Sequence, residues 1–391
     1  MKKIFFTAIL AMAAASTWAD VEINETTFPD ENFRNWVLAQ PYGQDGVLTD
    51  EEIADVTTVN VTGNRIIQSL KGIECFTALT SLECGLNQLT ALDLSKNTAL
   101  TSLYCYCNQL TTLDLSDNTA LEHLECWENQ LASLDVSTNA KLVYMACHRN
   151  QLASLDVTGN IALTSLCCGE NRLTSLDVSK NTELTELNCT DNQLASLDVS
   201  RNTALTLLFC SRNQLTTLNV SACTALENLR CDENRLSTLE VSGCSELEEI
   251  LCYSNQINGG AMDALVEGLP VTRSECGHLP VISLEGEQNV MTKSQVAAAR
   301  AKGWRPRYKY GSFSTMGWTD YEGSDDATTL ASPLGETGEG AAYDLQGRKL
   351  PLKGVDFPFG RRALLGGSAI YIQNGRKVLE QHSHKQTRKQ N

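Results

Sequence analysis

Nine cysteines follow one another at a constant spacing of 21 residues: Cys84, Cys105, Cys126, Cys147, Cys168, Cys189, Cys210, Cys231 and Cys252. An asparagine stands three residues beyond each, from Asn87 to Asn255. A period of this length marks repeats that each form one turn and bury their apolar face only by stacking on neighbours. The chain must therefore build a solenoid, and its function must be sought on the surface that the stack creates.

One turn, Leu121 to Lys141, reads LEHLECWENQLASLDVSTNAK. Its opening alternates as a strand does, with Leu124 and Cys126 inward and His123, Glu125 and Trp127 outward. At Asn129 the chain must turn, and a buried amide can pair with the backbone groups freed by the bend. The second half, LASLDVS, alternates again and predicts a second narrow strand or extended segment. Because the cysteines share one structural position, they should form a buried column of thiols acting as small hydrophobes. Rungs ~4.8 Å apart leave their Cβ vectors parallel and poorly aimed for disulfides, so the column is expected to stay reduced. Cys223 and Cys244 lie one period apart, where other turns carry Asn97 to Asn202. They could be a bonded pair or two stacked thiols.

The pattern L-x-x-L-x-C-x-x-N-x-L resembles the leucine-rich repeat, in a 21-residue form with cysteine in the column. It is similar to the internalin J-like, cysteine-ladder repeats of bacterial surface proteins, including those of Bacteroidota. The resemblance implies an α/β-type, β-rich solenoid: a leucine-rich-repeat horseshoe with a parallel sheet on the cysteine-strand face. Repeats run over 56–257, with Val61 in place of the first cysteine. Residues 20–55 predict a helical N-terminal cap, with Phe33, Trp36 and Val37 on one helix face and a Thr49/Glu52 capping box opening a second helix. The loop from Asp45 to Glu52 resembles the second half of an EF-hand calcium loop. Pro41 and Gly43 stand where two of its ligands belong, so it reads as structural and no metal or cofactor is expected. Residues 258–319 predict an αβ C-terminal cap: helices over Gly259–Leu269 and Thr292–Lys302, strands over Leu279–Leu284 and Arg305–Tyr310. The linker-like 320–342 follows. The end, 343–391, carries AAYDLQGRKL and an I-Y-I-x-x-G-x-x-V strand, which resemble the C-terminal sorting domains of type IX secretion. Residues 1–19 read as a signal peptide: Lys2 and Lys3, an apolar run to Ala15, then Thr17-Trp18-Ala19. The protein is thus expected to be exported, at the cell surface or extracellular, with no transmembrane segment.

A net charge of −16 excludes nucleic acid and anionic lipid as natural partners, because phosphates need clustered Lys and Arg. The five histidines are scattered, and no nucleophile elbow, zinc-protease helix or phosphate loop is present, so no enzyme is expected. Binding is better supported. The outward positions flanking each cysteine vary while the scaffold does not, and Tyr104, Tyr106, His123, Glu125, Trp127, Tyr144 and His148 gather within three turns. Aromatics with a polar rim are what protein hot spots are made of, and such rings also stack on sugars. A second apolar patch is Leu207, Phe209, Leu251 and Tyr253. The opposite face carries Asp93, Asp114, Asp135, Asp156, Asp177 and Asp198, held by neighbouring Ser and Thr rather than by calcium. The residues therefore predict adhesion to a protein or glycan ligand through the cysteine-strand face. The rival reading is a structural biofilm or envelope component that self-associates or binds matrix polysaccharide.

Overall fold

A computed structural model describes residues 20–272, 277–283, 287–310 and 317–325, and the backbone of three later strands. The expected signal peptide, the expected linker beyond residue 325 and most of the sorting-like segment lie outside the described residues. The chain divides into two compact units, Met1–Met291 with Gln295–Tyr321, and Thr292–Ser294 with Glu322–Asn391.

The first unit is a parallel β-solenoid. Its main sheet has 13 strands, all parallel except the last, Gly317–Asp320. Each repeat contributes three residues, as in Ser102–Tyr104, His123–Glu125 and Tyr144–Ala146, paired without slip at the same position of successive turns. The central leucine or its equivalent and the following cysteine point inward and are fully buried along the stack. Burial pushes the Cys84 and Cys126 thiols up to about 12. All fourteen described cysteines are free, and those of the column are packing atoms rather than nucleophiles.

The asparagines supply what a three-residue strand cannot. Asn129 Nδ2 donates to the carbonyls of Cys105 and Cys126 at 3.1 and 3.0 Å, while its Oδ1 accepts the Leu110 amide at 3.0 Å. This pattern satisfies buried backbone groups in one turn and locks it to the turn before. The period outlasts Asn255, where the sequence places its end. Val281 occupies the next inward position, and Asn289 donates to the Cys252 and Val281 carbonyls at 2.8 Å while accepting the Ile257 amide at 2.8 Å. Val281 stands 29 residues after Cys252, because the helix Gly259–Gly268 takes the second half of that turn, and Asn289 follows eight residues on rather than three, so a fixed-period reading misses this rung. Valine thus ends the thiol column on both sides, Val61 at one end and Val281 at the other.

A second asparagine column, Asn97 to Asn202, is completely buried on the far side of each turn. Asn160 Nδ2 donates to the Val136 and Asn139 carbonyls at 3.0 and 2.9 Å. Cys223 and Cys244 continue this column as free thiols, donating to the Val199 and Val220 carbonyls at 3.6 and 3.1 Å. The disulfide alternative fails because both thiols are engaged as stand-ins for the amide donor.

The LASLDVS segments form a strand pair only at Thr217–Asn219 and Thr238–Glu240 among the described residues. In the earlier turns each aspartate instead folds its own bend. Asp135 Oδ1 accepts the Ser137 amide at 2.9 Å, and that amide and the serine hydroxyl hold the carboxyl below its usual value.

The N-terminal cap contains helices Glu31–Leu38 and Asp50–Asp55, the second with the full Thr49/Glu52 capping box. Glu52 is spent on that box. Asp30 caps the first helix with Oδ1 and takes the Gln68 and Ser69 amides on Oδ2, which ties the cap to the first turn. The C-terminal cap has helices Gly259–Gly268 and Lys293–Ala301 and strands Gly277–Ser283 and Trp304–Tyr310. The strand Gly317–Asp320 is added antiparallel beyond the expected set. In the second unit, Arg362–Leu365, Ser368–Gln373 and Arg376–Gln381 form an antiparallel sheet. The expected single strand through Ile370 and Val378 is therefore two strands.

Candidate ligand-binding face

Alternation puts the residues on either side of each inward leucine and cysteine onto one sheet face. Tyr104, His123 and Tyr144 form one stack there. His123 lies parallel to Tyr144 at 4.4 Å between centroids, and Tyr104 leans on His123 at 5.0 Å. Beside it runs a second stack of nearly parallel rings: Tyr106 on Trp127 at 4.6 Å and Trp127 on His148 at 5.2 Å. The distances follow from strands ~4.8 Å apart, which is close to the stacking distance of aromatic rings.

Glu125 stands between the stacks and joins them. Its carboxylate contacts His123 Nε2 at 3.2 Å and accepts from Trp127 Nε1 at 3.1 Å. The Tyr106 ring is seated over Gly85, where a Cβ would come within 2.7 Å of its carbons. His148 Nδ1 lies 3.4 Å from Cys167 Sγ. Burial lowers the His148 pKa, with Arg149 adding to the effect, so this stack is uncharged at neutral pH. Burial raises the Tyr106 and Tyr144 phenols, and Glu125 pushes in the same direction.

A third row borders the stacks and is invisible to alternation. The residue two beyond each cysteine adopts a left-handed backbone, φ 51 to 55°, from Leu86 through Cys107, Glu128 and Arg149 to Ser254. Its side chains form two ion-pair ladders. Arg149 bridges Glu128 and Glu170 at 3.4 and 3.1 Å, and Arg212 bridges Asp191 and Glu233 at 3.1 and 3.3 Å.

The second patch does not come together as one surface. Tyr253 is 5% exposed, lying under Trp318 at 5.9 Å and Lys309 Nζ at 4.5 Å, so it is part of the C-terminal cap. Arg230 covers Phe209 at 4.8 Å and reaches Glu249 at 3.5 Å, while Leu207 and Leu251 remain half-exposed two strands apart. Among the described residues no three His, Cys, Asp or Glu converge as a metal site, and no helix is long and apolar enough to cross a membrane.

The fold, the repeat length and the inward thiol column define a leucine-rich-repeat solenoid of the cysteine-ladder type. Internalin J of Listeria monocytogenes is 40% identical over 72 residues, 18% of this chain and 8% of that protein. The solved domain of the Listeria internalin J, which includes a cysteine ladder, is 34% identical with a TM-score of 0.52, covering 63% of this chain and 59% of that one. This chain therefore spans less than two thirds of either relative. A leucine-rich-repeat ectodomain of an Arabidopsis thaliana receptor kinase, solved in complex with Casparian strip integrity factor 2, shares the fold at 22% identity. Its TM-score is 0.54, over 63% of this chain and 32% of that one. No family model matches the chain.

Proposed function

We propose that this chain is an exported binding protein, acting at the cell surface or outside the cell in adhesion, and that it grips a protein ligand through the face around Cys105, Cys126 and Cys147. The observation that carries this reading is the pair of aromatic stacks clipped together by Glu125. Rings fixed on both faces by neighbours lose little entropy when a partner arrives, which is what a hot spot requires.

The same stacking favours a protein over a glycan. Trp127 has Tyr106 on one face and His148 on the other. A sugar ring stacks on a free aromatic face, whereas these stacks offer ring edges, a ridged strip suited to interdigitating side chains. Export rests on the leader-like first nineteen residues.

The test pairs a host-protein pull-down and a glycan array, using the purified chain, with affinity measurements on whatever is captured. Tyr104→Ala combined with Trp127→Ala is expected to weaken that complex about tenfold or more. Undiminished binding by the double variant would sink the assignment of this face.

A further inference from the structure

Two sets of carboxylates on this face have different fates. Those of the left-handed row are each ion-paired within the molecule, Glu128 and Glu170 sharing Arg149, Asp191 and Glu233 sharing Arg212. Those beside the rings are not. Glu83 accepts a neutral hydrogen bond from Asn60 Nδ2 at 2.7 Å, and Glu186 accepts one from the Ser165 hydroxyl at 3.2 Å. Neither has an ion pair among the described residues. Glu125 is held by Trp127 and the His123 imidazole, and among the described residues no lysine or arginine pairs with it.

Their placement is regular. Strand register sets Tyr104 directly between Glu83 and Glu125, and Ser165 between Tyr144 and Glu186. Uncompensated negative charge thus brackets the aromatic strip at both ends and in its middle. An apolar or anionic partner docking here would strip water from these carboxylates and give nothing in return, at a cost that opposes binding. A cationic partner has no such penalty. Its cations would meet the carboxylates, because the faces of Trp127 and His123 are already occupied by neighbouring rings. The aliphatic stems of lysine and arginine pack well along ring edges. The raised phenols of Tyr106 and Tyr144, in which burial leads and Glu125 contributes, fit the same negative field.

We propose that the protein ligand of this face is a cationic segment, one whose lysine or arginine side chains lie across the two stacks and pair with Glu83, Glu125 and Glu186. The inference rests on the reading of this face as the binding site. It differs from general attraction to an acidic protein in naming three carboxylates.

The experiment immobilises the full chain and measures the affinity of a synthetic peptide alternating arginine with leucine. The same peptide with glutamate for arginine, and a neutral dextran oligosaccharide, serve as comparisons. One variant carries Glu83→Gln, Glu125→Gln and Glu186→Gln. Its control removes as much charge from the opposite face through Asp114→Asn, Asp135→Asn and Asp156→Asn, a change the fold already tolerates, since Asn219 holds the same bend at the Ser221 amide. The glutamine variant is expected to bind the arginine peptide at least about fivefold more weakly, and the control to stay within about twofold of the parent. Equal losses in both variants overturn the proposal, as does a parent chain that ignores the arginine peptide or prefers the glutamate peptide or dextran. Loss of binding in Tyr104→Ala/Trp127→Ala, with none in the glutamine variant, keeps the face and removes its cationic partner. If neither set of substitutions matters, the face itself is wrong.

Discussion

The two asparagine columns look alike in sequence but have different electrostatic accounts, and one pair of substitutions separates them. Asn150 and Asn160 belong to the same turn. Asn150 donates to the Cys126 and Cys147 carbonyls at 3.0 and 3.1 Å, and its Oδ1 is the acceptor for the buried Leu131 amide at 3.0 Å. Asn160 makes two similar donations, but its buried Oδ1 has no partner among the described residues. Replacing either with cysteine exchanges an amide for a weak thiol donor of similar size. At Asn150 the change also orphans the Leu131 N–H, costing about 1–3 kcal/mol, and thins two donor bonds worth about 0.5–1.5 kcal/mol each, a total of roughly 2–4 kcal/mol. At Asn160 the thinned donor bonds are offset by removal of an unsatisfied buried oxygen, leaving about 0–1 kcal/mol. Cys223 and Cys244 are natural instances of the second exchange. Urea unfolding in reductant, followed by circular dichroism, reads both variants against the parent. A cost for Asn160→Cys as large as that for Asn150→Cys would refute the reasoning.

The buried thiols should be silent to a thiol reagent in the native state and react only on unfolding, with Cys107, whose burial and Glu128 raise it to about 11, reacting slowly near neutrality and faster as pH rises. A reagent titration showing rapid native-state labelling of the column would contradict the packing. Gly85→Ala places a methyl against the Tyr106 ring and should weaken the aromatic near-UV dichroism while leaving the far-UV signal intact. Because folding lowers the His148 pKa from 6.5, the unfolded chain takes up its proton first. That contribution to stability is complete above pH 6.5 and is lost as pH falls through the lowered value, so His148→Gln should flatten the stability profile in that window.

Most of the scaffold was legible because a 21-residue period fixes every inward position once one turn is understood. Legibility stopped where the period was interrupted or where a role is carried by backbone rather than by residue type. Asn289 does the work of the preceding nine asparagines, yet stands 34 residues beyond Asn255, past a turn whose second half is the helix Gly259–Gly268. Tyr253 reads as surface by its spacing, because nothing in the repeat pattern announces the strand bearing Trp318. At the candidate face the clustering of aromatics was readable, since equivalent positions of adjacent turns must touch. Which ring faces would remain open was not readable, because it depends on side-chain orientations that spacing does not set. The glutamate between the rings was singled out by position alone. Its hold on both stacks is visible only in three dimensions.

The left-handed row shows why the border of this face is built as it is. A non-glycine residue in that conformation costs about 1–2 kcal/mol, whereas glycine there costs about 0.5–1 kcal/mol in lost chain entropy. Glycine would thus be better by up to about 1.5 kcal/mol at any of these positions, but all ten of them, Arg65 included, carry side chains. The backbone tolerates the conformation because each turn's amide finds a carbonyl on the next, as Glu128 N–H does on His148 at 3.0 Å. What the side chains return is the ion-pair ladder, with exposed pairs worth about 0.2–1 kcal/mol each. Cys107 makes no ion pair, its thiol resting 3.5 Å from Glu128. Cys107→Gly should therefore stabilise the fold by up to about 1.5 kcal/mol, while Glu128→Gly, which loses its pair with Arg149, should be close to neutral. Urea midpoints for the two variants decide the matter. If Cys107→Gly is the more destabilising, the side chains of this row serve packing, and the ladder does not explain why glycine is absent from it.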